Sequence, residues 1–206
     1  MEIRVNATRM ELLKLKNRLK MAKRGHKLLK DKRDELMREF LGLVHKNRSL
    51  RQEVEQRMAE FYKQVALAFA STGPDAWASA LSLPEANLVV KVDYKTTMNL
   101  RLPQLEHRFE GEIFPYGFAE TSGDLDNAIL VLARTVPVLL ELAAVERAVD
   151  LLSQEIEKTR RRVNALEYIL IPELEAKAAE ITMRLAELER SGISRLMKVK
   201  DIVRAH

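Results

Sequence analysis

The chain has 206 residues and a net charge of +5; 32% of its residues are charged, only 5% are aromatic, and it holds seven glycines and six prolines. That composition suits long helices with charged faces and a narrow apolar seam, and suits a compact core much less well. The absence of cysteine excludes a disulfide framework and the common thiolate zinc sites.

The charge is unevenly placed. Residues 4–33 hold twelve Lys and Arg against two acids, Glu11 and Asp31, a local charge of +10 that leaves −5 for the remainder. A polyanion, an anionic membrane or an acidic protein surface could each be the partner of that basic end. The opening MEIRVNATRMELL has no apolar core of a signal peptide. Apolar runs such as AILVLA at 128–133 read as too short to span a bilayer. A soluble cytoplasmic protein is expected.

Proline and glycine divide the chain into three parts: a helical arm at 1–70, a central region at 71–123 and a second helical arm at 124–206. The first arm opens with Thr8 and Glu11, a T-x-x-E capping box in which each residue can satisfy the other's free backbone N–H. From there an apolar seam alternates three and four residues apart. It passes through Leu12, Leu15, Leu19, Ala22, His26, Leu29, Arg33, Leu36, Phe40, Leu43, Asn47, Leu50 and Val54, and resumes at Met58, Phe61, Val65 and Ala68. A 3.5-residue period held this long makes a helix supercoil left-handedly about a partner. The polar seam residues His26, Arg33 and Asn47 would fix register.

The central region has a local β pattern. Leu88, Val90, Val92 and Tyr94 alternate onto one face, as do Met98, Leu100 and Leu102, with Lys95-Thr96-Thr97 between them. A short hairpin is expected there, without an Asn-Gly turn to mark its tip. Since an isolated hairpin is marginal, it should pack on the helix ends or on Trp77, Phe109, Phe114 and Phe118.

The second arm can start with Asp124 as its cap. Its seam includes Leu125, Ile129, Leu132, Val136, Leu139 and Ala143. Further on come Val149, Leu152, Ile156, Thr159, Val163, Leu166, Leu170, Leu174, Ala178, Ile181, Leu185, Leu188, Leu196 and Val199. Pro172 costs one intrahelical hydrogen bond and bends the helix, and Pro137 either does the same or marks the helix entry. Arg160-Arg161-Arg162 fans over the outer surface, either to bind another protein chain or, the favoured reading, to pair with Glu53 and Glu55. Two seams separated by a small middle predict a mainly α fold: a long antiparallel left-handed two-helix coiled coil formed by the N- and C-terminal helices, with a short β-hairpin in the central region. At 1.5 Å per residue the arms would measure about 95 Å and roughly 110 Å, a rod rather than a globule.

Residues that carry chemistry are scarce. There is no P-loop and no G-x-G-x-x-G. His26, His45, His107 and His206 are scattered, Ser and Thr have no partner base at a recognisable spacing, and Glu pairs such as Glu155 with Lys158 read as surface ion pairs. Neither enzyme activity nor a cofactor nor a metal is expected. Nucleic-acid binding by the basic coiled coil is the alternative reading, weakened by the lack of interleaved aromatics and by lysines that surround the helix.

Two stretches carry a family likeness. TRMELLKLKNRLKMAKRGHKLLKDKRDELM at 8–37 and EIEKTRRRVNALEYILIPEL at 155–174 resemble the N- and C-terminal signatures of the D subunits of V-type and archaeal A-type ATPases. The resemblance covers both helical arms and little of 71–123. Ala7 stands where the family pattern has proline, which touches only the helix entry.

The resemblance implies a non-catalytic rotor shaft in a proton- or sodium-transporting ATPase, coupling a head that hydrolyses or makes ATP to ion transport. Its partners would be the hexameric head of A and B subunits, the small F subunit of the stalk, and the component connecting to the membrane ring. No direct membrane insertion is implied. On this reading Arg9, Lys14, Arg18, Lys20, Lys23, Arg24, Gly25 and Lys27, with Arg190, Arg195 and Lys198 opposite, face acidic or carbonyl-rich surfaces inside the head. Gly25 marks a place where the shaft must be thin, for its partner helix or for the surrounding head.

Overall fold

The computed structural model describes residues 8–82, 85–114, 116–117 and 121–204. Ala7, Phe118 and His206 lie outside them. The chain is mainly helical. Helix α1 spans Arg9–Thr72 and a short α2 spans Pro74–Leu81. Strands β1 (Asn87–Thr97) and β2 (Leu100–Glu110) follow. The second arm comprises α3 (Gly123–Ala165), a π turn at Leu166–Leu170 and α4 (Ile171–Arg204). The backbone divides into two compact units, and each draws on both arms: one is described over 8–35 and 156–204, the other over 36–155.

In the first unit the two arms run antiparallel. Arg9 meets Glu189 at 2.5 Å, Lys23 meets Glu175 at 2.7 Å, and His26 meets Glu167 at 3.4 Å, so partners fall in number on one arm as they rise on the other. The capping box is half made: the Glu11 N–H donates to Thr8 Oγ1 at 3.2 Å, while the Glu11 carboxylate lies 3.6 Å from Lys14. Leu15, Ile156, Thr159, Val163 and Ile181 are buried. No residue is fully buried over 16–35 or over 164–180.

The second unit holds the tighter core. Leu50 and Val54 of α1 pack with Leu142 and Val145 of α3, flanked by Met58, Val138, Leu139 and Val149. The helices are again antiparallel: Ser71 reaches Ser122 at 2.8 Å, Arg57 donates to the Arg134 carbonyl at 2.8 Å, and Arg51 faces Glu146 at 3.7 Å. Pro137 lies inside α3, which continues through it. The helix begins at Gly123, which puts Asp124 in the first turn rather than at the cap. The residues that α3 buries before 150 are Leu125, Ala128, Thr135, Leu142, Val145 and Ala148. Of the seam expected there, Leu125 is among them, while Ile129, Leu132, Val136 and Leu139 are half-buried and Ala143 is exposed. The reason is physical: a helix that is apolar nearly all round gives no phase from which to read its buried stripe. Within Gly123–Arg204 one 18-residue window reaches a mean hydropathy of 2.1. The sequence reading of short apolar runs is corrected here, since by length and composition this window meets the test for a bilayer crossing. The core helix of a soluble protein can meet the same test.

The hairpin is longer than its sequence pattern suggests. Lys95, Thr96 and Thr97 belong to β1, and the tip is Met98-Asn99, both at positive φ (48° and 68°). Such a two-residue turn matches the right-handed twist of the strands. Leu88, Val90, Val92 and Tyr94 sit opposite Phe109, His107, Leu105 and Pro103. Leu100 and Leu102 pair with Thr97 and Lys95, on the other face. Met98 is in the turn and belongs to neither face. Strand β2 flanks the helix pair across a groove of ≈ 830 Å³, lined by Gly42, Leu43 and Lys46 of α1 and by Pro137, Val138 and Ala148 of α3. The aromatics near the hairpin pair locally: Trp77 packs edge-on against Phe69, Phe109 against His107, and Phe114 against Tyr116.

Candidate functional site

Cations are concentrated at the basic end of α1. Lys16, Lys20, Lys23, Arg24 and Lys27 recur at helical spacing and line one shallow groove of ≈ 410 Å³ beside Leu19. The lysines therefore gather more closely than their spread along the sequence suggests, and Lys16 joins the candidate residues. Residues three and four apart share a helix face, so this clustering is recoverable by marking cations at i, i+4, i+7 and i+11.

The candidates differ in how far they are already neutralised. Arg9 is paired with Glu189, Lys23 with Glu175, Lys14 with Glu11 and Arg190 with Glu187, the last at 2.9 Å. Arg18, Lys20, Arg24 and Lys27 are exposed and make no ion pair among the described residues. Arg195 and Lys198 lie exposed on α4. Beyond the adjoining backbone of α1, no atom lies within 4 Å of where a Cβ on Gly25 would stand. The chain's own partner helix therefore does not require glycine there, which removes one of the two reasons for a thin shaft.

The seam candidates spread over three levels of burial. Leu15, Leu36, Ile156, Val163 and Ile181 are buried. Leu12, Leu19, His26, Leu29, Arg33, Phe40, Leu166 and Leu185 are half-buried. Leu170 is 41% exposed, beside Tyr168 at 72% and Ile169 at 65%. These three lie in the π turn, whose extra residue per turn rotates side chains off the three–four phase. Of the arginine run, Arg161 pairs with Glu157 at 3.0 Å on its own helix, and Glu53 pairs with Arg57. The favoured pairing of that run with Glu53 and Glu55 is therefore corrected for Arg161.

Two titrating groups are displaced. Burial and a 2.6 Å hydrogen bond donated to Asp126 push the Tyr116 phenol well above its ordinary value. The hydrogen bond and charge of Lys177 hold the exposed Glu173 carboxyl below the usual range. Among the described residues no three of His, Asp and Glu gather as a metal ion would need.

Two long helical arms, a small antiparallel hairpin and a basic, apolar-flanked end define a mainly α protein with large uncovered surfaces. The family model for the D subunit of ATP synthase matches residues 11–201. The V-type ATP synthase D subunit of Acetivibrio thermocellus is 50% identical over 98% of this chain and 92% of its own length. That of Fusobacterium nucleatum is 47% identical over 98% and 97%, and that of Clostridium botulinum is 49% identical over 98% and 96%. The chain belongs to the family of ATP synthase D subunits.

Proposed function

We propose that this chain is the central-stalk rotor subunit of a V/A-type rotary ATPase. It transmits torque between the hexameric head of A and B subunits and the membrane rotor ring, and has no catalytic centre of its own. The observation that carries this reading is similarity at about half of all positions, along nearly the whole chain, to V-type ATP synthase D subunits. The small F subunit and the component connecting to the ring are its further partners. It is cytoplasmic and peripheral to the membrane through the complex.

The physical features fit that role. A shaft must carry load between sites it does not catalyse, and antiparallel paired helices do so. The cations Arg18, Lys20, Arg24 and Lys27, which make no ion pair among the described residues, give the basic end a field that an acidic or carbonyl-rich collar would balance. Such attraction centres a shaft without fixing one angle, since exposed charges interact weakly with any single partner.

Co-expression with A, B and F subunits and gel filtration test the assignment. A one-to-one complex with the small F partner, joining the head, is expected. Failure to join, with nucleic-acid binding that resists salt, would replace this reading with the nucleic-acid one. Reversing Lys16, Lys20, Arg24 and Lys27 to Glu should lower the coupling of hydrolysis to rotation, and unchanged coupling would remove the bearing role of the basic face.

A further inference from the structure

The second arm changes its hydrogen bonding at one place. The Ile171 N–H donates to the Leu166 carbonyl, five residues back rather than four. The cause lies one residue on. Pro172 has no N–H to give, and in an α-helix its ring would strike the carbonyl of Tyr168, four residues before it. Widening the turn over Leu166–Leu170 relieves that contact. Ile171 nevertheless keeps helical angles (φ −64°, ψ −49°), which a residue before proline disfavours.

Little holds this turn in place. None of its five residues is buried, and none is buried anywhere over 164–180. Tyr168, Ile169 and Leu170 project into solvent. On α1 the same thinness recurs over 16–35. His26, next to Gly25, makes the 3.4 Å contact to Glu167, and both side chains are partly exposed. On either side of 164–180, Val163 and Ile181 are buried at 1% and 3% exposure.

We propose that the π turn Leu166–Leu170, with Pro172 beside it and the thinly packed Gly25-His26 stretch near it, is the point of compliance of the C-terminal arm. The arm bends and twists there by local opening, while the helix on either side keeps its hydrogen bonds. Proline and π turns are two of the recognised causes of helix kinks, and here they coincide. The lack of any buried residue over 164–180 places this stretch at the low end of local stability.

The inference stands on this chain alone and is tested on it without partners, so failure of the rotor reading would leave it intact. In hydrogen exchange of the full chain, amides of 167–171 should exchange at least about tenfold faster than those of 155–162. Pro172→Ala restores a donor, lets the turn close to α, and should slow them by a similar factor. Pro137→Ala, in a continuous helix, should leave them unchanged. The chain has no cysteine, so spin labels at Arg160→Cys and Ala179→Cys report the distance across the turn cleanly. Its distribution should be broad in the native sequence and narrower with Pro172→Ala or with Ile169 deleted. Equal protection of 167–171 and 155–162, or one narrow distance indifferent to Pro172→Ala, would overturn the proposal.

Discussion

The carbonyl oxygen of Glu85 lies 2.3 Å from where a Cβ on Gly111 would stand. Gly111 also has φ +92°, a conformation that L side chains rarely adopt. Two independent constraints therefore require glycine at the root of the hairpin, just past Glu110 and facing the chain that enters β1. Gly111→Ala should cost about 1–3 kcal/mol from the backbone conformation alone, more if Glu85 cannot shift. Urea unfolding measures the loss, and exchange at the Val89 and Lys91 amides, which lie in the hydrogen-bonded pairs with Arg108 and Glu106, should rise first. An unaltered midpoint would mean that the root repacks freely.

The helical arms and the existence of a hairpin are legible in the sequence because long periods average out local noise. The hairpin tip is not. Its two positive-φ positions are Met98 and Asn99; asparagine accepts such angles, but methionine carries no turn signal, so strand and turn are displaced by a few residues in the sequence pattern. The buried stripe of α3 before residue 150 is unreadable because apolar residues surround that helix. Leu170 illustrates a different failure: its spacing fits the seam, but the π turn adds a residue that the count cannot see.

The core within 36–155 should carry most of the measurable stability. Leu152 is completely buried, so Leu152→Ala should cost about 2–5 kcal/mol. Met10, 67% exposed, should change stability by less than about 0.5 kcal/mol on the same substitution. Chemical denaturation of both variants checks the contrast.

The inter-arm ion pairs should contribute little despite their short distances. Lys23 and Glu175 meet at 2.7 Å, yet their side chains are 56% and 49% exposed. A double-mutant cycle with Lys23→Ala and Glu175→Ala should give at most about 1 kcal/mol, since exposed pairs are screened and cost side-chain freedom. The coupling should vanish near 1 M salt, where the screening length is about 3 Å. A coupling that survives high salt would point to a desolvated pair.

Tyr116 sets a pH limit on stability. Its folded-state pKa is raised above the unfolded value near 10, because burial and the bond to Asp126 favour the neutral phenol. Below pH 10 both states keep the proton and that stabilisation is fully present. As pH rises past 10 the unfolded chain releases the proton and the folded one retains it, so stability falls. Lysines titrate in the same range, so the informative quantity is a difference. Stability of the native chain minus that of Tyr116→Phe should decline between pH 9 and about 11. A flat difference would mean the phenol is no more protected folded than unfolded.

Gly25 separates what the chain needs from what its surroundings need. It lies within α1, where glycine costs roughly 0.5–1 kcal/mol against alanine. Beyond the adjoining backbone of α1 itself, no atom of this chain stands within 4 Å of a Cβ there. Gly25→Ala should therefore raise the stability of the isolated chain by up to about 1 kcal/mol, partly by restricting the unfolded state. A loss of stability instead would mean that the helices approach more closely at Gly25. On the rotor reading proposed above, the bulkier Gly25→Leu in the assembled complex tests the remaining reason for glycine, close approach of an enclosing head. Normal folding of the isolated chain with impaired rotation-coupled hydrolysis is the expected pair of results. Normal coupling would leave Gly25 as a tolerated helix glycine and nothing more.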